Sequence, residues 1–179
     1  MDIANELLKR YEAKLHYSVE RAKNTKVVPI IPNHYFATSS SEIRDMYIDG
    51  FYIGTISLSQ AVAEGLSRFL CKRKHIRCPK NHLTRVNNLR KEKIITEKIK
   101  KSFESIEYGR DDFHHMDENI DNDYSALEAK AKLNVDNLFL IEEEIFGCSY
   151  DNGKIVPNKP EFWDLNADGT TNVFLRCSI

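Results

Sequence analysis

The fold of this chain is decided by residues 39–74, which read SSSEIRDMYIDGFYIGTISLSQAVAEGLSRFLCKRK. Ser39 followed by Glu42 has the form of a capping box, which predicts that a helix begins there. Apolar residues then recur at helical spacing to the end of the stretch, so it predicts one long helix with a buried face. Gly50 and Gly54 share a face of that helix, which indicates a close approach by another helix or a bend near Gly50.

The same spacing of apolar residues predicts three further helices, over residues 2–24, 82–107 and 122–146. We expect the middle one to be interrupted or bent near Asn87 and Asn88. Gly147 directly follows the last helix, in the place where a glycine of left-handed conformation often ends one.

The two ends of the chain have a different pattern. Two prolines lie within residues 27–33, which predicts an extended linker. Near the other end, a turn at 151–153 predicts a hairpin between its flanking residues, and 172–176 predicts a further strand. Trp163, the only tryptophan, is expected to pack this tail onto the helices.

The predicted fold class is therefore all-α, a helical bundle with a small β-containing C-terminal appendage. A length of 179 residues suits one domain with short additions. The predicted organisation is an N-terminal helix and linker, a bundle, and a hairpin and turn extension packed on it, over residues 1–39, 40–147 and 148–179.

Bulk composition names no partner, because the net charge is only -1. No apolar run approaches the ~18 residues that a membrane-spanning helix needs. The first residues also lack the basic and apolar blocks of a signal peptide. We therefore expect a cytoplasmic protein with no membrane partner, whose four cysteines are reduced thiols.

Charge is strongly segregated along the chain. Residues 68–101 contain thirteen Lys or Arg and two acids, whereas 102–146 contain three bases and thirteen acids. Helices of opposite charge could simply complement each other in the fold. The alternative is an exposed basic stripe that follows a polyanion backbone.

The most informative stretch for function is RDDFHH at residues 110–115. Arginine binds phosphate bidentately, and histidine is the side chain that moves protons most readily near neutral pH. Together these residue types indicate chemistry on a phosphodiester. Three other Arg and His pairs have similar spacing, but only Arg110 is followed by an acidic residue and lies before the final helix.

An arginine followed by a polar residue and then by histidine, before the last helix of a small bundle, resembles the HEPN superfamily. Arg110, Asp111 and His115 fit this motif, and the resemblance covers roughly residues 40–146. Many members are metal-independent ribonucleases, and others are inactive binding or scaffold domains. The resemblance implies an endoribonuclease without cofactor or metal, in a defence or toxin context, or else a non-catalytic module that binds a nucleotide, RNA or protein.

The resemblance also implies roles for the motif residues. His115 would act as base or acid, Arg110 as the phosphate clamp and Asp111 as an orienting partner. Two protomers would pair so that two motifs face one groove, with RNA as substrate and an antitoxin or other regulatory protein as partner. The third interpretation is a helical assembly protein in which 110–115 is purely an interface held by ion pairs.

Helical geometry leaves the identity of the catalytic histidine open. At 100° per residue, Arg110 and His114 are 40° apart, whereas Arg110 and His115 are 140° apart. Asp111 and His115 would instead share a face. Either the segment is not an ideal helix, or the second protomer supplies the arginine, or His114 takes the role.

Glu64 is conspicuous because it lies in the otherwise apolar stretch 61–66. A buried carboxylate there needs a partner, for which Arg110 is the obvious candidate. The alternative is a glutamate that faces solvent. We assign substrate binding to Glu64 together with three bases of the positive segment, Arg85, Arg90 and Lys91.

A set of cysteines and histidines at 71, 75, 78 and 82 has some likeness to a zinc site. Structural zinc sites usually have a longer gap between two ligand pairs. We therefore interpret this segment as a solvated basic turn and predict no metal.

Overall fold

A computed structural model describes residues 2–115, 123–168 and 170–176, with the side chains of residues 114 and 115 excluded. The chain is mostly helical with a few short strands, so the predicted all-α class with a small β appendage is confirmed. The described helices are α1 (Ile3–Lys23), α2 (His34–Asp49), α3 (Tyr52–Arg73), α4 (His82–Lys91), α5 (Glu97–Glu107), α6 (Arg110–His115) and α7 (Tyr124–Phe146).

The predicted long helix over 39–74 is in fact two helices, α2 and α3. Gly50 separates them with φ of +83°, a left-handed conformation that stops α2 and redirects the chain. The capping-box prediction at Ser39 is wrong, because α2 begins earlier. The side chain of Asn33 caps it by accepting a hydrogen bond from the backbone N–H of Phe36 at 3.2 Å.

The predicted helix over 82–107 is also two helices, α4 and α5. The expected break near Asn87 and Asn88 is wrong, since both lie within α4. The chain turns after α4, where Lys93 has φ of +57°, and Thr96 caps α5 through its hydroxyl.

The core surrounds α3, which packs against α2, α4, α5 and α7. Its inward side chains, Ile56, Leu66 and Leu70, are fully buried. Polar contacts cross this core as well. The amide of Gln60 donates to the carbonyl of Ile106 on α5 at 3.1 Å.

Two small antiparallel sheets involve the chain ends. The predicted hairpin is confirmed as β2 (Cys148–Asp151) and β3 (Lys154–Pro157). The predicted final strand is β4 (Phe174–Leu175), which pairs with β1 (Ile30–Ile31) of the extended linker. The segments before and after the bundle therefore touch each other.

The segment that follows α7 begins at Gly147 and includes Trp163. Gly147 directly follows α7, as predicted, but its φ of -56° is not the left-handed conformation common at such glycines, because the chain continues directly into β2. Trp163 is 3% exposed and packs in the core, as predicted.

Helix α1 matches its predicted range but buries none of its residues. Its contacts with the bundle are made mainly to α2. Arg21 fixes this junction, donating through Nε to the carbonyl of Ile48 at 2.8 Å and through Nη1 to the Tyr52 hydroxyl at 3.1 Å.

Across the part of the chain that the structure describes, we find no helix with the length and apolar content needed to cross a membrane.

Gly50→Ala is expected to lower the free energy of unfolding in urea titrations by more than the ~1–2 kcal/mol that a left-handed L-residue costs. A Cβ at this position would also approach the Tyr124 hydroxyl to 3.1 Å. Gly153→Ala is the matched control, with φ of +77° and no atom within 4 Å of its Cβ. Equal losses in the two variants would contradict a packing constraint at Gly50.

Candidate functional site

Arg110 begins α6, directly after the turn that leaves α5. Gly109 in that turn has φ of +73°, which glycine adopts without strain. The Nη2 of Arg110 donates to Oε2 of Glu64 at 3.2 Å, and its Nη1 donates to Oε1 of Glu107 at 3.4 Å. The Arg110 side chain is still 37% exposed. Two carboxylates therefore orient a guanidinium that still reaches solvent.

Glu64 gathers three guanidinium groups around one carboxylate. Besides Arg110, its Oε1 accepts from Arg68 at 2.5 Å and from Arg85 at 3.3 Å. Its side chain is only 13% exposed. The expected pairing of Glu64 with Arg110 is confirmed, and the alternative of a solvent-facing glutamate is wrong.

Arg85 is fully buried behind Glu64. Its Nε donates to the Ser67 hydroxyl at 2.8 Å, and its Nη1 donates to the carbonyls of Pro79 at 2.6 Å and Lys80 at 3.2 Å. Its Nη2 donates to Glu64. Arg85 therefore cannot contact a bound molecule directly. It affects binding only through Glu64, whose position it fixes.

His82 and Glu107 extend the cluster on the other side of Arg110. The Nδ1 of His82 lies 2.8 Å from Oε2 of Glu107, and the imidazole packs edge-on against Phe103. The opposite nitrogen, Nε2, is buried and has no hydrogen-bond partner among the described residues. A buried imidazole and a guanidinium thus share one carboxylate.

Sequence reasoning did not include His82 and Glu107 in the site. They lie 25 residues apart, at the start of α4 and the end of α5. No local pattern connects them, because the antiparallel packing of two short helices brings them together. Two signals included His82, its spacing from Arg77 and the zinc-like set at 71–82, but neither pointed to Glu107.

Arg90 and Lys91 lie at the other end of α4. Arg90 donates through Nε to Glu97 at 3.0 Å, and Lys91 is exposed. Because Glu97 begins α5 and Glu107 ends it, this end of the helix pair is about 15 Å from the Arg110 cluster. The structure brings Glu64 and Arg85 to Arg110, but not these two bases.

The motif segment 110–115 is an α-helix. Its backbone therefore places position 114 on the face of Arg110, and position 115 on the face of Asp111. Asp111 is exposed. The imidazoles of His114 and His115 lie outside the described part of the structure, so the choice between them stays a prediction.

The four residues with some likeness to a zinc site lie in different environments. Cys71 is buried and Cys78 is exposed, while His82 is bonded to Glu107. Burial, and then the neighbouring Cys78 thiol, raises the pKa of Cys71 to about 11. Within the described residues, no three His, Cys, Asp or Glu are grouped so that they could hold a metal ion.

Glu64→Gln is expected to lower the free energy of unfolding by about 3 kcal/mol in urea titrations, because it leaves the buried Arg85 without its carboxylate. Glu6→Gln is the matched control. Glu6 also pairs with an arginine four residues on, but its side chain is 46% exposed. It should lose less than about 1 kcal/mol. Similar losses in the two variants would contradict the role of Glu64 as the buried carboxylate that three arginines share.

Acid is expected to remove a contribution of Glu107 to stability. Burial alone would raise the pKa of Glu107, but the hydrogen bond with His82 and the charges of His82 and Arg110 lower it below its ordinary 4.5. The ionised carboxylate therefore stabilises the fold at pH values above 4.5. This stabilisation is lost as the pH falls through the lowered pKa.

The measurement is urea unfolding of the wild type and Glu107→Gln at a series of pH values. The difference in free energy of unfolding should be largest near neutral pH and shrink on acidification. Glu104→Gln on the same helix, at a side chain 39% exposed, is the control. A difference that does not change with pH would contradict the assignment.

No family model matches the chain, and neither a curated protein nor a solved structure matches it significantly.

Proposed function

We propose that this chain is a metal-independent endoribonuclease of HEPN type, with a composite active site formed by two copies of the motif in a homodimer. The observation that carries the proposal is the state of Arg110. Its guanidinium is oriented by Glu64 and Glu107, yet 37% of its side chain remains exposed. Phosphodiester chemistry requires a pre-oriented and accessible cation, and two histidines follow Arg110 in the sequence.

In the proposed reaction, the 2′-hydroxyl of RNA attacks the adjacent phosphorus, and the bond to the 5′-oxygen breaks. One histidine takes the proton of the 2′-hydroxyl, and an acid returns a proton to the leaving 5′-oxygen. Arg110 stabilises the charge that builds on the phosphoryl oxygens. His115 follows the motif as base or acid, and His114 competes because its position shares the face of Arg110.

The ion pairs of the cluster contain more arginines than carboxylates. Three guanidinium groups, those of Arg68, Arg85 and Arg110, share the carboxylates of Glu64 and Glu107. These five groups carry one positive charge in excess, which the exposed carboxylates of Asp111 and Asp112 in the first turn of α6 oppose. Of the three arginines, Arg85 is fully buried, so a phosphate would meet Arg110 or Arg68.

A non-catalytic module that binds RNA, a nucleotide or a protein is the second candidate, and one observation favours it. Both terminal nitrogens of Arg110 already face carboxylates, which weaken the attraction of its guanidinium for a phosphate. Both candidates place the ligand at Arg110. They differ in whether a bond is broken there.

The setting of the activity is also part of the proposal. An endoribonuclease in the cytoplasm endangers the RNA of its own cell, which fits a toxin or defence role. A regulatory or antitoxin protein that covers Arg110 would restrain it.

The proposal is tested by incubating labelled single-stranded RNA with the full chain in excess chelator. Arg110→Ala and His115→Ala should each lower the cleavage rate by at least ~100-fold, the usual contribution of charge stabilisation or acid–base catalysis. His114→Ala, measured alongside, decides which histidine carries the proton.

Arg73→Ala is the control for this experiment, because its ion pair with Asp164 lies outside the cluster and the variant leaves the motif intact. Its cleavage rate should stay within a few-fold of the wild type, with all variants shown to be folded by circular dichroism. Cleavage that survives Arg110→Ala would contradict the proposal. Binding of RNA without cleavage, abolished by Arg110→Ala, would establish the second candidate instead.

A further inference from the structure

The first turns of α1, residues 3–15, carry an apolar ridge that is open to solvent; we call them the N-terminal arm. The ridge residues are four apart, and their exposed fractions are 72% for Ile3, 59% for Leu7, 61% for Tyr11 and 42% for Leu15. Side chains spaced by four form one of the ridges by which helices pack together. In the described structure, each of these side chains keeps at least 42% of its surface exposed.

The exposed ridge continues a face that is already packed inside the protein. Ser18 and Ala22 are half-buried where α1 meets α2. Tyr11, Leu15, Ser18 and Ala22 follow one another at intervals of four, three and four, so they share one helix face. The face that docks on α2 therefore extends beyond the bundle as the ridge of the N-terminal arm.

The N-terminal arm would gain stability from a partner that covers its ridge. A helix of this length gains most of its stability from packing of an apolar face, because isolated helices are marginal in water. Burying a large apolar side chain removes on the order of 100 Å² from water. The ridge together with Leu8 and Val19, in two copies, would bury at most about 1,200 Å², the lower limit for stable protein interfaces.

We propose that the cover is the α1 helix of a second copy of this chain, in a parallel pair related by a two-fold axis. Two identical ridges can interdigitate, each lying in the grooves of the other. Glu12 and Lys14 border the ridge on opposite sides at the level of Tyr11 and Leu15. In a parallel two-fold pair, opposite borders meet, so Lys14 of one copy faces Glu12 of the second copy.

This inference rests on α1 and not on the ribonuclease proposal. Its test is sedimentation equilibrium of the full chain. The wild type should be a dimer, and Leu15→Glu should weaken dimerisation at least ~10-fold by placing a carboxylate in the ridge. Leu15 is 42% exposed in the monomer, so the variant should keep the wild-type circular dichroism and unfolding midpoint.

Leu83→Glu is the matched control, since Leu83 lies on α4 and is also 42% exposed. It should leave the dimer unchanged. A monomeric wild type, a dimer that Leu15→Glu does not weaken, or an equal loss in Leu83→Glu would each overturn the inference. RNA cleavage by a dimer that Leu15→Glu does not weaken would overturn it and leave the ribonuclease proposal standing.

Discussion

The ion pair between Glu64 and Arg85 is the interaction on which the rest of the site depends. A buried guanidinium is costly unless each donor finds an acceptor. Arg85 meets this requirement with the carboxylate of Glu64, the Ser67 hydroxyl and the carbonyls of Pro79 and Lys80. These acceptors belong to α3 and to the loop before α4, so one side chain fixes where α4 begins.

The position of Arg110 follows from that arrangement. Glu64 shares its charge among three arginines, so Arg110 is oriented without being fully enclosed. Glu107 adds a second contact, and its own position depends on His82 at the start of α4. The same carboxylates that orient Arg110 reduce its pull on an anion. The cluster therefore holds the guanidinium of Arg110 in place and weakens its electrostatic attraction for an anion. This combination is compatible with a catalytic clamp and with a reversible binding site.

A second buried pair organises the chain ends by the same principle. Arg176 donates to Glu142 on α7 at 2.8 Å, to the Ser40 hydroxyl on α2 at 2.5 Å and to the carbonyl of Val28 at 2.8 Å. Burial raises the pKa of Glu142, and the charge of Arg176 opposes that rise. With the pairing of β1 and β4, these contacts hold the tail against the linker. In both clusters, a carboxylate on a central helix is matched by an arginine from a distant segment.

Local periodicity indicated which segments are helical, because the recurrence of apolar side chains every 3.6 residues is a property of the sequence. It also indicated the pairing of Glu64 with Arg110, since a carboxylate within an apolar stretch must find a cation. Tertiary structure decided what local pattern could not. The cap of α2 is Asn33 and not Ser39. Asparagine and serine can both cap a helix, so the local sequence does not choose between them. The place where the chain enters the bundle does. The pair of His82 and Glu107 arose from the packing of two short helices, an arrangement that no spacing along the chain specifies.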